Sequence, residues 1–195
     1  MMRNMTIEAA PLTAVELTQL RAILERDEIR RVVERYARGM DRGYETDARA
    51  AYWDDGHDHH GLFQGNAQEF VTWGLPSAKE SHEAEDAVGA ISGHQHVLGQ
   101  SNIAVDGDRA SAETYFVYYM EGGRLPKPNV VSALAGRYVD YLERRGGEWK
   151  IADRVVAIDW STVWRTDERF PGVDAFVPGG WYPNDRIFQK PHSLD

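Results

Sequence analysis

From Thr13 onward the chain passes from stretches with a helical period to stretches with a strand period. Leu17, Leu20, Ile23 and Leu24 recur at helical spacing behind Thr13, a residue suited to cap a helix, and predict a short leader helix. Asp27 reads as a second start, because Ile29, Val32, Val33, Tyr36, Ala37 and Met40 form one apolar stripe. Arg30, Arg31, Glu34, Arg35 and Arg38 fill the opposite face. That helix should end near Asp41-Arg42-Gly43, and Thr46 to Trp53 predict another short helix packed behind it. Each carries an apolar side that needs a sheet.

The period then changes. His57 to Phe63 predicts a short strand ending in the turn Gln64-Gly65, followed by a helix around Ala67 to Trp73. Leu75 to Gly89 is polar and acidic and reads as a loop or a lid. Gly93 to Val105 and Arg109 to Met120 flank Asp106-Gly107-Asp108, a hairpin signal. A second long hairpin runs from Val130 to Arg144, turns at Arg145-Gly146-Gly147-Glu148, and returns from Trp149 to Trp164. This order predicts an α+β fold: a cone-shaped barrel in which a strongly bent antiparallel sheet wraps the first helices. Residues 1–12 have no period and read as a flexible leader, 13–165 form the cone, and 166–195 are an extension over the pocket or a neighbouring subunit.

Composition narrows the possible functions. Against 22 Lys and Arg stand 31 Asp and Glu, a net charge of -9 that disfavours nucleic acid as a partner. No run approaches the roughly 18 to 20 apolar residues of a membrane span, and the first residues lack a signal-peptide core, so the expected location is the cytoplasm. The absence of cysteine removes disulfides, thiolate metal sites and cysteine nucleophiles.

Seven histidines are unevenly placed. His94 and His96 share one face by the strand period, and an imidazole held by a buried carboxylate is a competent base near neutral pH. Asp41, at a helix end where the dipole disfavours negative charge, wants a cationic partner, and Asp41 with His96 would make such a dyad. Asp41 is equally readable as a solvated turn residue, and Tyr36, five residues earlier, as an ordinary core tyrosine. The run Asp54-Asp55-Gly56-His57-Asp58-His59-His60 has metal-ligand chemistry, but alternation sends Asp58 and His60 one way and His57 and His59 the other, so no metal is expected and His60 is read as pocket lining. Phe116 and Tyr118 share a strand face, as do Arg154, Val156, Ile158 and Trp160. Either face lines a cavity or fills a core. Arg154 among Val and Ile needs a carboxylate or a substrate oxygen.

The chain resembles the SnoaL-like branch of the nuclear transport factor 2-like superfamily over about residues 20–165. The resemblance rests on Ile29 to Tyr36 leading to Gly39-Met40-Asp41, on Asp55 to Gly65, on His96-Val97-Leu98-Gly99 before Asp106-Gly107-Asp108, and on Trp149-Lys150-Ile151 running to Arg154 and Asp159-Trp160. That family includes scytalone dehydratase, bile-acid 7α-dehydratase and hexachlorocyclohexane dehydrochlorinase, and several members use an Asp–His dyad without a cofactor. The resemblance implies Asp41, His96, Tyr36 and Arg154 as catalytic residues, and the strand faces add His60, His94, Phe116, Tyr118, Ile158 and Trp160 as the expected pocket. Where some dehydratases carry a further acidic or imidazole group, Phe116 and Tyr118 stand here.

The expected function is therefore a cofactor-independent lyase acting on a hydrophobic aromatic or polycyclic hydroxylated small molecule. Dehydration or carbon–carbon cleavage releasing formaldehyde would follow from His96 as base, with Tyr36 or a second His as acid. An isomerase or cyclase in the same cavity, or a non-catalytic subunit of the ring-hydroxylating dioxygenase kind, are the alternatives. A homotrimer, otherwise a dimer, is the expected assembly.

Overall fold

The computed structural model describes residues 11–75, 94–121, 130–165, 171–172, 175–176 and 179–189. One helix, α1 (Ala14–Asp41), runs through the region where two were expected. Thr13 caps it as predicted: its hydroxyl accepts the Glu16 N–H at 3.2 Å, and its own N–H donates to the Glu16 carboxylate at 2.7 Å. Asp27 starts nothing, because no Gly or Pro interrupts the helix there and its carboxylate pairs with Arg31 one turn on, at 2.9 Å. Leu17, Leu20, Ile23 and Leu24 stay exposed, and burial begins at Ile29.

The second helix, α2 (Glu45–Ala50), is shorter than expected because strand β1 (Tyr52–His59) starts early, at the buried Tyr52. The short strand β2 (Gln64–Asn66) leads into helix α3 (Ala67–Gly74), where the Asn66 side chain accepts the N–H groups of Gln68 and Glu69. Of the expected loop or lid, residues 76–89 lie outside the described residues. The two long hairpins are β3 (His94–Asp106) with β4 (Arg109–Glu121), and β5 (Val130–Arg145) with β6 (Glu148–Arg165).

The strands join in one curved, unclosed sheet of order β2-β1-β6-β5-β4-β3. It is mixed rather than wholly antiparallel, since β1 pairs with β6 in parallel. The chain between them is long enough to return in the same direction, which a tight hairpin forbids. Curvature comes from bulges. Ala135 pairs with Trp160 and Gly136 with Ile158, which leaves Asp159 as an extra residue on β6. Only glycine fits at 136, where a Cβ would lie 2.0 Å from the Ala157 carbonyl oxygen. Among the described residues no helix is long and apolar enough to cross a membrane.

The concave face and α1 enclose a core of Ile29, Val33, Tyr52, Phe70, Leu142 and Ile151. A charged group sits inside it. Arg154 is fully buried and donates through Nε and Nη2 to both oxygens of buried Asp140, at 2.6 and 2.7 Å. Its guanidinium carbon lies 4.3 Å from the Tyr36 ring centre and 4.1 Å from that of Tyr138. Removing one partner of such a pair strands a charge in a medium that cannot solvate it. Asp140→Ala is therefore expected to cost about 3–5 kcal/mol of unfolding free energy in urea titration. Replacing both residues, Asp140→Leu with Arg154→Met, should recover most of that loss; an equally unstable double variant would contradict this account of the pair.

Candidate active site

The C-terminal end of α1 and the edge strand β3 meet at one carboxylate. Asp41 Oδ1 lies 2.5 Å from His96 Nδ1, and Oδ2 accepts the backbone N–H of the same histidine at 2.8 Å. An edge strand has N–H groups that the sheet leaves unpaired, and Asp41 takes one of them. These two donors offset the unfavourable dipole at the helix end. A carboxylate only accepts, so His96 carries its proton on Nδ1, which leaves Nε2 for the cavity. The side chains are 8% and 10% exposed, His96 and Asp41 respectively. Around His96 stand Tyr118, with ring centres 4.5 Å apart, and Tyr36, Phe116 and Tyr138, each within about 6.3 Å.

A second carboxylate–imidazole pair arises at the end of β1. Asp58 and His60 point the same way, as strand alternation predicts, with Oδ1 and Nδ1 3.0 Å apart. Asp58 is fully buried, and its Oδ2 accepts the Tyr52 hydroxyl at 2.7 Å. His57 faces away, toward Asp153 at 3.3 Å. Among the described residues no three His, Cys, Asp or Glu side chains converge as a metal site would require.

Both imidazoles line one cavity of about 390 Å³, a size suited to a small molecule. Its walls are mostly aromatic and aliphatic, among them Tyr36, Phe70, Phe116, Tyr118 and Ile158. The Tyr138 hydroxyl is buried and has no hydrogen-bond partner among the described residues. Burial raises the Tyr36 phenol well above its ordinary value, although the Arg154 charge pulls it back in part. Tyr36 thus keeps its proton and acts as a neutral hydroxyl.

Residues 179–189 pack on the chain around Arg38, Arg42 and Tyr44, and Trp181 reaches the cavity wall. The Tyr182 N–H donates to the Arg42 carbonyl at 2.7 Å. Tyr44, Tyr182 and Phe188 pack together with ring centres 5.0 to 5.1 Å apart. Gly43, at φ +61°, leaves the space Trp181 occupies: a Cβ there would lie 2.1 Å from that ring. Asp185 pins the turn by accepting the N–H groups of Gly180 at 2.8 Å and Ile187 at 3.0 Å.

Of the residues expected in the site, Tyr36, His96, His60, Phe116, Tyr118 and Ile158 line the cavity, and Asp41 stands behind His96. Arg154 is not part of the wall; its fork is taken by Asp140, and the Tyr36 and Tyr138 rings lie against it. Trp160 is half-exposed and absent from the lining, because the extra residue Asp159 turns it to the outer face opposite Ala135. The backbone of His94 pairs with Met120, and its side chain lies outside the described residues. Asp58, Tyr138 and Trp181 were not anticipated. The Asp58–His60 spacing did carry a signal, as did the charge of Asp140 between the inward Tyr138 and Leu142, whereas Trp181 sits in an aperiodic tail.

Burial works against the ionised Asp185, but the Ile187 and Gly180 N–H groups with Arg42 and Arg38 hold its carboxyl below the ordinary range. A carboxyl lowered in the folded state adds stability above its unfolded pKa and loses it as pH falls through the folded one. The tail's grip should thus be complete at neutral pH and weaken once the pH falls below the ordinary value of 3.8. Asp185→Ala should remove about 1–2 kcal/mol of local stability. Amide exchange across 179–189 at neutral pH would then accelerate about 5- to 30-fold while β3–β6 stay protected; unchanged exchange would contradict the anchoring role.

Comparison with known proteins agrees with this architecture. The SnoaL-like domain model matches residues 21–155. No curated protein matches the sequence significantly. Among solved structures, a protein assigned as a scytalone dehydratase from Novosphingobium aromaticivorans DSM 12444 superposes with a TM-score of 0.57 at 17% identity, covering 78% of this chain and 95% of its own. Hexachlorocyclohexane dehydrochlorinase LinA-type3 from Novosphingobium barchaimii LL02 gives 0.61 at 16% identity, covering 78% and 99%. An NTF2-like protein with a cystatin-like fold from Novosphingobium aromaticivorans gives 0.55 at 23%, covering 77% and 92%. At these identities the structures speak to the fold alone. With the family model spanning well over half of the sequence, the chain belongs to the SnoaL-like domain family.

Proposed function

We propose that the protein is a cofactor-independent lyase for a hydrophobic aromatic or polycyclic hydroxylated small molecule, with His96 as general base oriented by Asp41. The observation that carries this reading is the 2.5 Å Asp41–His96 contact at the wall of an aromatic cavity. With Nδ1 held by the carboxylate, Nε2 is the atom that takes a proton from carbon, and a water-poor site spares that nitrogen competition from solvent. Ring-bearing substrates suit walls of Phe70, Phe116, Tyr118 and Trp181. The Tyr36 and Tyr138 hydroxyls are neutral donors that would orient substrate oxygens.

The same base acting on a hydroxyl would drive carbon–carbon cleavage with release of formaldehyde. An isomerase or cyclase would leave product mass unchanged. A filled interior lacking the His96–Asp41 contact would have favoured a non-catalytic subunit; the open cavity and the contact favour the enzyme. The outer sheet face, with Val97, Tyr115, Tyr119 and Trp164 exposed, is the surface on which a trimer, or otherwise a dimer, would assemble.

Screening aromatic alcohols and diols by mass spectrometry distinguishes these outcomes, as loss of water, loss of formaldehyde or no mass change. His96→Ala and Asp41→Asn should each lower turnover at least about 100-fold while circular dichroism stays that of the folded protein. Wild-type-like turnover in either variant would reject the dyad.

A further inference from the structure

We propose that His60, held by Asp58, is a second catalytic residue in the same cavity, the acid that protonates the departing oxygen while His96 acts as base. This rests on the elimination reading above and chooses the proton donor that the sequence left between Tyr36 and a second histidine. The two histidines come from strands separated by three others in the sheet, His60 just past β1 and His96 on β3, yet both line one cavity. Their rings lie 6.5 and 6.3 Å from the ring of Tyr138 on the intervening β5.

The His60 pair is built as firmly as the His96 pair. Asp58 Oδ1 meets His60 Nδ1 and Oδ2 accepts from Tyr52, whose oxygen in turn accepts from Arg154 Nη1 at 3.3 Å. Both carboxylate oxygens are therefore occupied, and Asp58 cannot turn to offer a different geometry. The ring plane is fixed too: His60 stacks on Phe70 with centres 4.4 Å apart and 17° between planes, and its backbone N–H donates to the Phe63 carbonyl at 2.8 Å. As at His96, Nδ1 is taken and Nε2 is the nitrogen left for the cavity. A histidine that merely filled the wall would need neither a fully buried carboxylate nor the Tyr52–Arg154–Asp140 chain that supports it. Burying Asp58 costs desolvation, and that cost is offset by a fixed imidazole.

The chemistry balances as follows. His96 Nε2 takes a proton from the carbon beside a carbonyl or ring, and the C–H electron pair becomes the new carbon–carbon double bond. The adjacent carbon–oxygen bond breaks, its electrons go to oxygen, and His60, entering the step as the imidazolium with a proton on each ring nitrogen, gives that oxygen its Nε2 proton, so water leaves. His96 ends with one proton more and His60 with one fewer, and exchange with solvent restores both. Hydroxide is a poor leaving group, so this step needs the acid; an intrinsically good leaving group does not.

That difference supplies the test. One probe is a β-hydroxy ketone carrying a phenyl ring on the hydroxyl-bearing carbon, and the other is the same ketone with para-nitrophenolate as leaving group. The wild type should eliminate from both. His60→Asn, which keeps a donor for Asp58, and Asp58→Asn, which keeps the shape of the buried side chain should the first variant fold poorly, are each expected to slow loss of water at least about 100-fold. Both should leave nitrophenolate release near the wild-type rate, whereas His96→Asn should slow both reactions. A His60→Asn effect equal on the two probes, or absent on both, overturns the assignment of His60 as the acid. If His96→Asn leaves both rates intact, or the wild type turns over neither probe, the elimination reading itself fails, and the role given to His60 falls with it.

Discussion

A guanidinium at the centre of a sheet has to be answered by charge and hydrogen bonds from every side, and the way Arg154 is answered arranges the floor of the cavity. Asp140 on the neighbouring strand takes two of its donors, and Tyr52 accepts a third. The Tyr36 and Tyr138 rings lie against its faces. The three tyrosines each do a second job. Tyr52 passes a hydrogen bond to Asp58 and so to His60, while Tyr36 and Tyr138 turn their rings toward His96. The buried cation thus acts on the site through others, which is why it is absent from the cavity wall.

The remaining geometry follows from where elements end. α1 stops where its last buried residue, Asp41, can reach an edge strand with an N–H to spare, so one carboxylate fixes both the backbone and the ring of His96. β1 ends at His59, where His60 turns back toward Phe63 and comes to rest on Phe70 of α3. Bulges bend β5 and β6 enough for these distant strands to face a common space. The tail then closes part of the rim with Trp181, admitted by a glycine in the left-handed region.

Much of this was legible in the residues themselves. The hairpins declared their boundaries through period and turn residues, and the stripe from Ile29 to Met40 marked the buried face of α1. Chemistry and position left Asp41 equally readable as a turn residue, and it was the family resemblance that singled out Asp41 and His96. What could not be read was set by non-local packing. The break expected at Asp27 is absent because an i,i+4 ion pair satisfies that carboxylate within the helix. Parallel pairing of β1 with β6 depends on the path of the intervening chain. Trp160 was assigned inward because alternation carries no sign of a bulge, and one extra residue reverses every side chain beyond it. Arg154 announced that it needed a partner, but the choice between substrate and Asp140 was made by register.

The central claim is that Asp41 holds His96 in one tautomer with Nε2 free to accept a proton. Nitrogen-15 NMR of the imidazoles in the full chain, at a pH where His96 is neutral, tests this without a substrate. The account predicts a protonated Nδ1 and an unprotonated Nε2 for His96, a state that Asp41→Asn should disturb. A proton on Nε2 in the wild type, or a His96 spectrum indifferent to Asp41→Asn, would contradict it.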